Sequence, residues 1–296
     1  MLKDAPGYSI WRTLLPLLLF FVFHWVAQFV VTTAVLVMWL PEIMSQMEEA
    51  QTTVALFQEE LMRYLLQIGL YVQQRYGLLM RVLGAVFTFF YAFFAFRKDR
   101  KIKRESDVKV KNGGKAKYYA LIVGFALVSS LVLNVILILL GQAFPAFAES
   151  QNASYLLSTP LWLQLLGLGL VIPIVEELVF RGLLFKRYQE RYGFLGACGW
   201  STLFFAFAHG NGGNLSFMYA FVMGLFLAYV YVKFGTIKAP VLFHIVINLL
   251  AVIMTYTQGL RWLFADGIRI SVGVVLGTFL AASLFVLMQH SKIEKE

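Results

Sequence analysis

Apolar runs long enough to cross a lipid bilayer recur along nearly the whole chain. A helix needs about 20 apolar residues to traverse the hydrocarbon core. Windows of that kind, the shortest being 194–209, lie at 14–40, 78–96, 118–140, 161–185, 194–209, 217–234, 239–258 and 270–288. In lipid each backbone N–H and C=O must find its partner within the protein, so runs like these fold as helices. The expected fold is all-α, a polytopic transmembrane helical bundle of about eight spans. Composition argues the same way: 60% of the 296 residues are hydrophobic and 14% charged, whereas a soluble domain is about half apolar and a quarter charged.

The charges between the runs set the expected orientation. With the N-terminus inside, one side carries Lys3 and Arg12, the stretch 97–117, then Lys186, Arg187 and Arg191, then Lys233 and Lys238, and finally Lys292 and Lys295. Ten Lys and Arg face three Asp and Glu within 97–117. The other side holds Glu42, Glu48, Glu49, Glu59, Glu60 and Glu149, with Arg261 and Arg269 as dissenters. Positive residues concentrate on cytoplasmic loops, so both termini are expected in the cytoplasm and the protein in the cell membrane as a multi-pass chain. The net charge of +9 is then topology and attraction to anionic lipid, and no nucleic-acid partner is expected. The first run is too long for a cleaved signal sequence. It is expected to end at Pro41, followed by an acidic amphipathic stretch over 42–63, with the second span extending back toward residue 65. The lone Cys198 permits no intramolecular disulfide and reads as a packing residue. The chain divides into an N-terminal transmembrane region (1–160) with a basic cytoplasmic loop (97–117), a polar-bearing core (161–253), and a final span with its tail (254–296).

Ionisable groups inside a bilayer are costly and call for a partner or a function. They concentrate in the C-terminal half, as Glu176, Glu177 and Arg181 in one span, His209 in the next, and His244 with Asn248 in 239–258. Neighbours on a helix point about 100° apart, and residues four apart share a face. Glu177 can therefore pair with Arg181, while Glu176 must look to another helix and is the candidate general base. Pro173, three residues earlier, lacks a backbone donor and is expected to kink the helix. His244 and Asn248 share a face and can both donate to an oxyanion. Ala206 and Ala208 permit close helix approach near His209. His24 with Gln28, and Asn134, are expected to bond between helices.

Three blocks in order, EExxxR at Glu176–Arg181, FxxxH at Phe205–His209 and HxxxN at His244–Asn248, resemble the CPBP family of CAAX proteases and bacteriocin-processing enzymes, also called the Abi family. The resemblance covers about 161–253. It implies an intramembrane, metal-independent glutamic endopeptidase in which Glu176 activates a water, His209 holds and polarises it, His244 and Asn248 stabilise the oxyanion, and Glu177 with Arg181 support the site. It implies no cofactor, and as partners a peptide or protein substrate in or at the membrane and the bilayer itself. Two rivals stand beside it. Glu176, His209 and His244 are a ligand set suited to zinc, and the chain can instead be a non-catalytic regulator or immunity-type partner of a membrane signalling protein such as a sensor kinase or toxin receptor.

Overall fold

The computed structural model describes residues 10–49, 54–100, 115–144, 159–209, 214–259 and 267–290. Every regular element among them is helical. Helix α1 (Ile10–Glu49) and α2 (Val54–Arg100) form an antiparallel pair, with His24 against Gly84 and Trp39 against Tyr71. At 1.5 Å per residue they run about 60 and 70 Å, roughly twice the hydrocarbon thickness. Pro41 therefore does not end the first helix. Ile43, just beyond it, is buried with Ile68, Val72 and Met80 of α2, and this packing carries α1 past the lost hydrogen bond to Glu49. Residues 42–49 and 54–63 of the acidic stretch continue α1 and begin α2.

Helix α3 (Lys115–Ala143) follows. The next helical run, Leu161–His209, has 49 residues, and it is one of seven helices long and apolar enough to cross a membrane. It is not a single rod. Gly193 adopts φ 73° and ψ −175° inside it, a left-handed conformation open to glycine and strained for a residue with a Cβ. The run divides there into α4 (161–192) and α5 (194–209), giving eight helices among the described residues. The remaining three are α6 (Asn214–Phe234), α7 (Lys238–Tyr256) and α8 (Gly267–His290). The protein is a multi-pass membrane helical bundle.

Helix α4 is the axis of the fold. Phe180, Leu183 and Leu184 are fully buried, surrounded by residues of α1, α3, α5, α6 and α7. Helix α8 lies outermost against α3, where Gly277 meets Val132 and Gly124 meets Leu284. Apolar side chains such as Trp25, Phe29, Leu195 and Phe279 point outward, the arrangement expected of a lipid-facing surface.

One end of the bundle is tied together by charge. Arg187 donates from Nε to Asp99 at 2.8 Å and from Nη1 to the Arg12 carbonyl at 2.6 Å, and Arg12 pairs with Glu190 at 3.2 Å. The start of α1, the end of α2 and the end of α4 thus share one side. The end of α6 joins them through Phe185–Tyr231 and Tyr118–Phe234 contacts, and Lys233 donates to the Gln289 carbonyl of α8 at 2.8 Å. These are the segments that the charge pattern places together. Lys3, the loop over 101–114 with its Gly113-Gly114 pair, Glu149, the loop over 210–213, Arg261, Lys292 and Lys295 lie outside the described residues, as does the side chain of Arg269.

Of the polar residues expected to bridge helices, Asn134 faces Tyr219 of α6, although its amide donates to the Ser130 carbonyl of its own helix at 2.8 Å. His24 bonds within its own helix. Its Nδ1 meets the Phe20 carbonyl at 2.8 Å, while its ring packs against α2 at Gly84. Gln28 is exposed on the outer face of α1.

Candidate active site

The site is assembled on an irregular helix. Two stretches of α4 are π-helical, Gly167–Val171 and Leu178–Phe185, and the α-helical turn Ile172–Glu177 between them carries both glutamates. Wide turns of this kind arise where a helix cannot keep its i−4 register and are frequent at functional sites. Pro173 is the cause at the first of them. The backbone stays helical through it, with φ −64° and ψ −53° at Val171 and φ −61° and ψ −51° at Ile172, so the expected kink takes the form of a widened turn.

Glu177 and Arg181 pair as their spacing requires. Arg181 donates from Nη1 to Glu177 Oε1 at 2.9 Å, and both side chains are 0% exposed. A buried pair gains from further hydrogen bonds, and this one is partly satisfied, with Glu177 Oε2 and Arg181 Nε lacking a hydrogen-bond partner among the described residues. Arg181 donates from Nη2 to the Gly224 carbonyl at 3.0 Å, and its guanidinium lies 4.6 Å from the Phe205 ring centroid. Gly224 is needed there, because a Cβ would come within 2.9 Å of Thr202 Cγ2 and 3.4 Å of its Cα. The closest approach of α5 and α6 thus falls at Thr202 and Gly224, with Ala206 buried beside it. Ser201 adds a hydrogen bond to the Phe180 carbonyl at 3.0 Å, fixing α5 to α4.

Glu176 points away from this pair. It is 7% exposed, and its Oε2 lies 3.6 Å from His209 Nε2 and 3.7 Å from His244 Nε2. That oxygen has no hydrogen-bond partner among the described residues. The two rings are held from behind. His209 Nδ1 is 2.8 Å from the Phe205 carbonyl, and His244 Nδ1 is 3.0 Å from Glu177 Oε1. A carbonyl and a carboxylate can only accept, so each Nδ1 carries a hydrogen, and each ring, when neutral, directs an Nε2 lone pair toward Glu176. Phe205 packs against both imidazoles, with centroids at 4.4 and 5.6 Å, and it stands edge-on to Phe180.

Asn248 is one turn beyond His244 on α7. Its Nδ2 donates to the Leu168 carbonyl at 2.9 Å, so one of its two amide hydrogens is engaged by the backbone of α4. Glu176, His209 and His244 converge, Glu177 and Arg181 support His244, and Asn248 is anchored beside Gly169, where α7 packs closely through Leu249. Among the described residues there is no group of three or more His, Cys, Asp or Glu side chains arranged to hold a metal ion.

One residue escaped the sequence reading. Arg81 of α2 is exposed and interacts electrostatically with Glu176 and His209, and also with His24. It lies on the helix face of Leu78 and Ala85, which pack against Gly167 and against Ile172 with Val175. The signal was available, since Arg81 is the one charged residue within 78–96.

A helical bundle in a membrane, with a buried carboxylate between two imidazoles on its central helices, defines the class of the protein. Residues 158–250 match the family model described as Type II CAAX prenyl endopeptidase Rce1-like, a likeness of that segment to the CPBP proteases. The matched segment contains Glu176, Glu177, Arg181, His209, His244 and Asn248, and it leaves α1–α3 and α8 outside. No curated protein and no solved structure matches the chain.

Proposed function

We propose that the protein is an intramembrane glutamic endopeptidase of the cell membrane that cleaves a hydrophobic or membrane-associated peptide with a water activated by Glu176. The observation that supports this most directly is the convergence of Glu176 Oε2 and two imidazole Nε2 atoms, all three acting as acceptors, on one buried point. A water there can give one hydrogen to the carboxylate and one to an imidazole, which turns its lone pair toward an incoming carbonyl. Glu176 takes the proton as the water attacks, and the same proton then serves the leaving amine. His209, tied to the Phe205 carbonyl, holds the water.

Stabilisation of the oxyanion falls to His244 and Asn248. With Nδ1–H committed to Glu177, His244 donates to the oxyanion from Nε2 once that atom is protonated. Asn248 has a second amide hydrogen beside the one given to Leu168. Both termini face the cytoplasm in this reading, which places the ionic cluster of Arg12, Asp99, Arg187 and Glu190 at the inner surface, and substrate reaches the site from the bilayer.

The test compares peptides released from membranes holding the natural protein and the Glu176→Gln form by mass spectrometry. Products present with the first and missing with the second support the proposal. Full cellular activity of a folded Glu176→Gln protein would make it a non-catalytic regulator. A second reading takes the donor types of Glu176, His209 and His244 as a zinc-holding set. Activity lost on treatment with a strong chelator and restored by zinc establishes that reading and removes the metal-independent one.

A further inference from the structure

We propose that Asn248 is a positioning residue that replaces a backbone hydrogen bond missing from the catalytic helix, and that this bond sets the placement of Glu176. The π-helical turn before Glu176 advances in i−5 steps, with the N–H of Ile172 donating to the Gly167 carbonyl. The next step of that register would bring the N–H of residue 173 to the carbonyl of Leu168. Residue 173 is proline and has no N–H. The Leu168 carbonyl, which the helix thus leaves without its donor, is the one that accepts the Asn248 side chain at 2.9 Å. A carbonyl freed in the interior of a membrane protein must be satisfied by a neighbouring helix, and a side-chain amide is well suited to do it.

The bond has a mechanical consequence. Helices α4 and α7 run antiparallel here, and α7 grips α4 at two points one turn apart on its own surface. His244 holds Glu177, and Asn248 holds Leu168. Glu176 lies in the short segment between the two grips, three residues after Pro173. Gly169 makes the second grip possible, because a Cβ at that position would run into the Leu249 side chain. The proline creates the wide turn, the asparagine closes it, and the intervening α-helical turn Ile172–Glu177 presents the carboxylate to both imidazoles.

A double-mutant cycle with Asn248→Ala and Pro173→Ala tests this. Alanine at 173 restores a backbone N–H, which meets the Leu168 carbonyl in the π register or releases the Ile172 N–H to meet it in the α register. Asn248→Ala is expected to lower the melting temperature in detergent and to lower kcat by about tenfold or more when proline occupies 173, leaving a buried carbonyl unsatisfied. When alanine occupies 173, the melting loss is expected to shrink to a small fraction, and the kcat loss to shrink to the part that the second amide hydrogen of Asn248 gives the oxyanion. Equal losses in the two backgrounds would overturn the inference, and coupling in melting temperature without coupling in kcat would reduce Asn248 to a purely structural residue and overturn its positioning role. Should Asn248→Ala give no folded protein, recovery of folded protein by Pro173→Ala supports the inference and failure to recover overturns it. The kcat arm rests on the proposed peptidase reaction and the melting arm does not. A natural protein without peptidase activity therefore counts against that reaction, while the thermal cycle still decides the backbone bond.

Discussion

His244 Nδ1 lies 3.0 Å from Glu177 Oε1, while its other ring nitrogen faces Glu176 Oε2 at 3.7 Å. One imidazole therefore spans two consecutive residues of α4 that a helix turns about 100° apart. The buried ion pair of Glu177 and Arg181 does more than neutralise charge. It fixes the tautomer and the plane of a ring that borders the Glu176 carboxylate.

This coupling separates stability from chemistry. Glu177→Gln should leave Arg181 buried without its counter-charge and cost about 3–5 kcal/mol. The double change Glu177→Leu with Arg181→Met should recover most of that stability, because apolar residues of similar volume replace buried pairs well. It should still be inactive, since His244 loses its acceptor. Denaturation in mixed micelles, read beside peptide release, checks both expectations.

Glu176→Gln should behave in the opposite manner. The mutation removes a buried carboxylate oxygen that has no hydrogen-bond partner among the described residues, so the folded protein should be at least as stable as the natural one. Peptide release should fall by about 10²–10⁴, the usual contribution of a general base. A melting curve and a single-turnover cleavage assay decide it.

The pairing of α1 with α2 depends on Gly84. A Cβ there would lie 2.8 Å from the His24 ring and 2.9 Å from its Cα, and backbone cannot yield as a side chain can. Gly84→Ala should cost about 1–3 kcal/mol, as overpacking usually does. Gly69 of the same helix has nothing within 4 Å of its added Cβ, so Gly69→Ala should be neutral or stabilising by about 0.5–1 kcal/mol. Thermal unfolding of the two variants side by side tests the contrast.

At the charged end of the bundle, Asp99 is 6% exposed and binds both Arg187 and Arg12. Asp99→Asn should destabilise by about 3 kcal/mol, because Arg187 is left nearly buried without its carboxylate. Protease accessibility of the ends of α2 and α4 should rise in the same variant, and unchanged protection would show that the cluster does not hold these ends together.

The apolar runs were enough to determine a helical bundle, since lipid offers the backbone no other partner than itself. The four-residue period was enough to pair Glu177 with Arg181 and to set Glu176 apart, because both statements concern one helix. The break between the runs 161–185 and 194–209 was legible, but Gly193 as the residue that makes it was not, and the end of α1 was misread at Pro41 because packing on α2 outweighs a single lost hydrogen bond. The site lies beyond local rules for the same reason. Which imidazole meets which glutamate, that Arg81 of a distant helix senses them, and that Asn248 answers a carbonyl freed by Pro173 are contacts between residues far apart in sequence. Periodicity states which face a side chain occupies, and only the packing of one helix on another decides what that face meets.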